Sequence, residues 1–203
     1  MKVALVGAAG RVASRIREEL LSRGHDVTGI GPHPEKMQAQ AHFTVKQGDI
    51  NDVDQMAELL KGQDAVVTAV PFVLTNPRAV VDALKQAKLK RLIVVGGAGS
   101  LEVSPGVALL DSDSFPPQAL PEATAGHEFL NVLRGERDLD WTYISPSQTF
   151  IPGRRTGKYR LGRDALLYAP DGKSWISFED YAIALVHELE HPEHVRERIT
   201  VGY

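Results

Sequence analysis

Four short apolar runs mark the first half of the chain: KVALV at 2–6, DVTGI at 26–30, AVVTAV at 65–70 and RLIVV at 91–95. They are too short for helices and rich in valine and isoleucine, which predicts strands buried on both faces of a parallel sheet. A weaker strand is predicted at 42–46. Between them, helical periodicity appears at 11–23, 52–61 and 76–88. In the first of these, Val12, Ile16 and Leu20 recur four apart, and Arg15, Arg17, Glu18 and Glu19 are assigned to the solvent side. Asn51 or Asp52 can cap the second. Asn76-Pro77 opens the third in the preferred cap-then-proline order.

Beyond residue 100 the pattern loosens. A Pro/Asp/Ser-rich loop is expected over 103–121, a helix near 122–135 and a strand at 141–145. A hairpin-like stretch follows at 159–176, turning at Asp171-Gly172. The last helix is expected at 178–190, with Ser177 and Asp180 at capping-box spacing, and the chain closes on a strand at 197–201. Strand–helix alternation of this kind predicts a right-handed βαβ series of the α/β class. No repeat or interdomain linker interrupts the 203 residues, which read as a single domain, 1–203.

Composition narrows the function. There is no cysteine, which excludes disulfide scaffolds, thiolate nucleophiles and Cys-based metal sites. The net charge of −3 offers no basic excess for a nucleic-acid backbone. No apolar stretch reaches the length of a membrane span. The apolar start is broken by Arg11 without a clean signal-peptide core, so a cytoplasmic location is expected. The expected partner is a small molecule, with no nucleic acid and no membrane, bound by a monomer or homodimer.

The chemistry concentrates where the first strand meets the first helix, in Gly7-Ala8-Ala9-Gly10-Arg11-Val12-Ala13. Gly7 permits the tight turn, Gly10 lets backbone approach a pyrophosphate, and Ala13 keeps the helix close to the sheet. Ala9, Arg11 and Val12 complete the turn. A tight turn without a ligand is the plainer alternative, but the strand and helix flanks are those a dinucleotide fingerprint needs. At the end of the second strand the chain reads Ile30-Gly31-Pro32-His33, with Lys36 a turn later. No acid stands there for a free ribose 2′-hydroxyl, while Arg11, His33 and Lys36 could meet a 2′-phosphate, so NADP(H) is expected over NAD(H).

With VGAAGRVASRI at the start, GDI at 48–50, VVGGAGSL at 94–101, DWTYISPS at 140–147 and ISFEDYAIALVHELE at 176–190, the sequence resembles the atypical short-chain dehydrogenase/reductases. More narrowly, it resembles their NAD(P)H-binding group of NADH-flavin reductases, related to biliverdin reductase B and the NmrA-like proteins. The resemblance implies a Rossmann fold. That is a single doubly wound parallel sheet of order 3-2-1-4-5-6-7, with helices on both faces and a small C-terminal hairpin and helix region. It also implies that Asp49 and Ile50 flank the adenine, and that Ala69, Val70 and Pro71 pass under the nicotinamide ribose. Gly97 to Ser100 would line the nicotinamide, with Pro146 and Ser147 at its carboxamide end. Asp49 could equally cap the following helix.

Two departures stand out. The family's Tyr-x-x-x-Lys pair falls on Leu120 and Thr124, and Tyr159 with Arg163 shares the spacing only in the hairpin region. Ser147 stands where biliverdin reductase B-like proteins carry a histidine. Flavin reduction tolerates the loss, because water can deliver the proton and the protein supplies proximity and orientation. Ser100 is the catalytic candidate, or else a loop serine bonded to backbone. Phe72, Leu101, Phe115 and Phe150 could wall a planar acceptor, or be core. A dinucleotide sensor without turnover is the rival reading.

His187-Glu188-Leu189-Glu190-His191 matches H-E-x-x-H, with His194 beyond it, but Pro192 ends the helix at once. A solvated helix end is expected, and no metal. Gly172-Lys173-Ser174 lacks the first glycine of a P-loop, since Leu167 stands there.

Overall fold

The computed structural model describes residues 1–203. In chain order the strands are β1 (Lys2–Val6), β2 (Asp26–Gly31), β3 (Phe43–Gln47), β4 (Ala65–Thr68), β5 (Arg91–Val95), β6 (Glu102–Ser104), β7 (Val107–Ala108), β8 (Asp140–Pro146), β9 (Thr149–Ile151), β10 (Arg160–Gly162), β11 (Trp175–Ser177) and β12 (Glu197–Gly202). The α-helices are α1 (Arg11–Ser22), α2 (Val53–Leu60), α3 (Pro77–Gln86), α4 (Leu120–Arg134) and α5 (Phe178–Glu190).

The central sheet runs β10-β12-β8-β5-β4-β1-β2-β3. Seven of its strands are parallel and follow the expected order; the short β10 adds an antiparallel edge beside β12. Both faces of the sheet are covered. One core cluster of 22 buried residues joins β1 to α1 and α5, and the other, of 21, joins it to α2, α3 and α4. Near-equal cores explain why the strands read as continuous apolar runs: neither face meets water.

Side chains start three of the helices. Asp52 accepts from the Gln55 amide, Asn76 from that of Arg78 and Ser177 from that of Asp180. Helix α1 begins instead on Gly10, which has no side chain to cap with.

Four expectations change. The 159–176 hairpin is not one: β10 pairs with β12 and β11 pairs in parallel with β9, although the chain does turn tightly at Gly172. The two segments are short, and each pairs with a neighbour from elsewhere in the chain, β10 with the longer β12 and β11 with the equally short β9. The 103–121 loop contains a small hairpin, β6 with β7, turning at Gly106 with φ +77°. Glu19 is buried rather than solvated, because Arg23 and Arg155 both reach its carboxylate, Arg155 from a loop 136 residues away. Helix α5, whose end was expected to be solvated, is mostly buried along its length against α1 under the sheet and exposes His187 and His191 at that end.

Candidate functional site

The carboxyl ends of the parallel strands gather two cavities along one rim of the sheet, where ligands of doubly wound proteins sit. The smaller, about 250 Å³, is lined by Val6, Gly7, Gly31, Pro32, Gly48, Asp49, Ile50, Val70 and Leu74. The larger, about 500 Å³, opens beyond β5 and β8 against α4. Its walls include Phe72, Gly97, Ser100, Phe115, Glu122, His127, Tyr143, Pro146, Ser147 and Phe150.

The turn after β1 carries the geometry its glycines implied. Gly7 has φ +82°, and a Cβ there would lie 2.8 Å from the Ala69 carbonyl oxygen, so the β1 and β4 ends approach as closely as backbone allows. A Cβ on Gly10 would lie 3.2 Å from the Gly7 carbonyl oxygen. The first-turn amides of α1 have no capping side chain and no acidic residue beside them. Free amides at the positive end of a helix, reached over bare backbone, fit a pyrophosphate. Arg11 stands at this end, its guanidinium 5.4 Å over the Phe178 ring.

The residues expected at the adenosine end converge on the smaller cavity. Asp49, Ile50 and Pro32 line it, and so does Val70, which was expected under the nicotinamide ribose. Asp49 is not the cap of α2; its carboxylate accepts from the Asn51 amide at 2.9 Å and leaves that role to Asp52. His33 stands just outside, exposed, with a ring nitrogen 3.2 Å from a Glu35 carboxylate oxygen.

The larger cavity has an aromatic framework. Phe72 stacks on Tyr143 with ring centroids 5.9 Å apart, and Phe150 meets Phe178 and Tyr181 at 4.6 and 4.7 Å. The Tyr143 hydroxyl donates to the Gly126 carbonyl and accepts from the Gly97 amide, both at 3.1 Å. Burial pushes this phenol far above its ordinary range, so it remains a neutral hydroxyl. Glu122 accepts from the Phe72 and Val73 amides at 2.7 and 3.0 Å and pins the turn after β4, which holds Ala69, Val70 and Pro71.

Ser100 lines the cavity with its hydroxyl 3.3 Å from Arg198, which also reaches the Ser100 carbonyl and the Asp164 carboxylate. Ser147 is fully buried, its amide is held by Val201, and its hydroxyl has no partner. That hydroxyl lies against Gly202, where a Cβ would come within 2.1 Å of it. Leu101, by contrast, is not a wall residue: it is fully buried with Leu109 and Leu166 behind the β6–β7 hairpin. Leu120 and Thr124 are exposed and outside the cavity, whereas Ala123 and His127, four apart on α4, face it. Sequence reasoning missed Tyr143 on β8, which reads as one more core residue of its strand, and Glu122 and His127 on α4, whose facing only the packing of that helix fixes.

The H-E-x-x-H segment resolves into structure. Glu188 is buried and bound to Arg91 at 3.1 Å, the His194 ring at 2.8 Å and the Thr142 hydroxyl at 3.2 Å. His187 and His191 lie exposed, their rings 5.0 Å apart. A glutamate turned into the core cannot serve as base beside two outward imidazoles.

A family model described as NAD(P)H-binding matches residues 7–192, from the first glycine of the turn to the end of α5. The chain belongs to this NAD(P)H-binding family. YwnB of Bacillus subtilis, an uncharacterized protein, is 40% identical over 99% of this chain and 98% of its own length. A proposed epimerase from Bacteroides thetaiotaomicron is 43% identical, with TM-score 0.94 over 100% of this chain and 96% of that one. A proposed NADH-flavin reductase from Streptococcus pneumoniae is 34% identical, with TM-score 0.87 over 100% and 99%. This member of the NAD(P)H-binding family thus has an oxidoreductase-like fold, and the amide-rimmed turn, the smaller cavity and the aromatic cavity lie along the carboxyl edge of its parallel strands.

Proposed function

We propose that the protein is an NAD(P)H-dependent reductase that passes a hydride to a flavin or a similar planar conjugated acceptor, with NADP(H) preferred. The observation that carries this reading is the cavity of about 500 Å³ walled by Phe72, Phe115 and Phe150 at the ends of β5 and β8. It is large enough for a tricyclic ring and offers that ring apolar walls. When bound, NAD(P)H supplies the hydride. The chain supplies the amides of α1 for the pyrophosphate, Asp49 and Ile50 beside the adenine, and Pro146 with Ser147 at the carboxamide. Ser100 is placed to hydrogen-bond the nicotinamide or the acceptor. For the 2′-phosphate, Arg11 is the best-placed cation, since His33 is shared with Glu35.

Cofactor preference and turnover are read together by following nicotinamide absorbance with purified protein, FMN, and either NADPH or NADH. Oxidation that saturates in FMN, exceeds the protein-free rate and is faster with NADPH is the expected result. Tight NADPH binding with no oxidation would favour the second reading, a dinucleotide sensor. One feature supports that rival: α4 presents Ala123 and His127 to the cavity, and neither a tyrosine nor a lysine.

A further inference from the structure

The chain has seven histidines, and six are accounted for by the fold. His25, His33, His42 and His194 each hold a carboxylate, and His187 and His191 rest against each other. His127 holds neither. It sits half-buried on α4, one residue past Gly126, and faces the aromatic cavity.

Three titratable groups line that cavity: Glu122, His127 and Tyr143. The other two are occupied. Glu122 is committed to the amides of Phe72 and Val73, and its loss of charge would release that turn. The Tyr143 hydroxyl is locked between Gly97 and Gly126, and burial holds its proton tightly. The cation nearest the rim from β12, Arg198, is bound to Asp164 and Ser100 and has no proton to give at working pH. His127 is the group left with both ring nitrogens available.

We propose that His127 is the general acid of this site, giving a proton to the acceptor after hydride transfer. The inference rests on the reductase reading above. In balance, the acceptor gains two electrons and a hydrogen as hydride from the reduced nicotinamide, which leaves oxidised. An N–H bond of the His127 imidazolium then breaks, its proton bonds to the oxygen or nitrogen of the acceptor that carries the new charge, and solvent reprotonates the ring. Against the apolar walls of Phe72, Phe115 and Phe150 such an anion has few polar partners, which is where a positioned acid matters most. Acceptors whose reduction leaves charge on a carbonyl oxygen or ring nitrogen, quinones and flavins among them, are the class it serves.

The test uses His127→Gln and His127→Ala in the full chain, with FMN and a para-quinone as acceptors. His127→Gln should bind NADPH within about twofold of the parent, which also shows that it folds, and lose about 100-fold in kcat, the lower end of acid catalysis. The parent's rate should fall as rising pH removes the ring's proton, and the variant's should not show that fall. Added imidazole should restore part of the rate of His127→Ala. Independently of turnover, the His127 ring resonance, assigned by its absence from the variant, should move when FMN joins the parent already holding NADP⁺. A variant with the parent's rate and pH profile, or a ring resonance that FMN leaves in place, overturns the assignment while the reductase reading stands. A parent that binds NADPH but oxidises none with either acceptor overturns both.

Discussion

Tyr143→Phe isolates one hydroxyl whose work is visible in the geometry. The ring is 1% exposed, stacked on Phe72, and a phenylalanine fills the same space without its oxygen. What is lost is the pair of 3.1 Å bonds, one to the Gly126 carbonyl on α4 and one from the Gly97 amide after β5. Each such bond contributes about 0.5–1.5 kcal/mol net, and each partner left unpaired in a buried site costs somewhat more. The sum is about 2 kcal/mol. For a chain of this size that lowers Tm by about 4–8 °C. The same bonds fix Gly97 against α4 at the wall of the aromatic cavity, so acceptor KM should rise while NADPH affinity, set at the α1 end, changes little. Thermal melts of the free protein and of the NADPH complex, with KM for FMN, read both effects. A Tm within 1 °C of the parent would refute the claim that the hydroxyl ties β5 to α4.

Four further outcomes can be checked directly. Gly10→Val places methyls beyond a Cβ that already lies 3.2 Å from the Gly7 carbonyl oxygen, and should abolish NADPH binding measured by nucleotide fluorescence. Ser100→Ala should slow turnover and leave the NADPH Kd nearly unchanged; equal rates would return Ser100 to the fold. Leu101→Ala should cost about 2–5 kcal/mol in denaturant unfolding with no change in acceptor KM, as suits a core residue behind the cavity. Burial raises the Asp180 carboxyl, but bonds from Thr156, Tyr203 and Gly157 outweigh it and hold its pKa below the ordinary 3.8. Its stabilisation is therefore complete above that value and lost as pH falls through the lower folded one, so Asp180→Asn should flatten the acid side of a Tm-against-pH curve.

Much of the fold was readable before any coordinates, because parallel strands covered on both faces must be written as uninterrupted apolar runs. KVALV and RLIVV can hardly be anything else in a βαβ series. The turn after β1 was readable for a related reason: backbone in so close an approach admits only glycine or a very small residue, so Gly7 and Gly10 declare the turn by what they lack. Short strands were not readable. Segments 160–162 and 175–177 have too few residues to choose a partner, and β12 and β9 chose for them.

Local pattern also misplaced side chains whose surroundings come from far along the chain. Glu19 looks solvated on its helix and is buried because Arg155 folds over it from 136 residues away. Leu101 and Phe115 look alike as wall residues, yet the β6–β7 hairpin takes one into a small core and leaves the other at the cavity. His127 was silent in the sequence because a single histidine on a helix carries no periodic or spacing signal. Its meaning depends on which face of α4 meets the sheet, and that is settled by Gly126, whose missing side chain lets Phe72 and the Tyr143 hydroxyl close on the helix. The amino-acid sequence by itself determined the alternation of buried parallel strands with helices and the glycine turn after β1, since both are imposed on consecutive residues. Tertiary packing alone decided which lone polar groups share the acceptor cavity, since that depends on distances between segments that no local rule encodes.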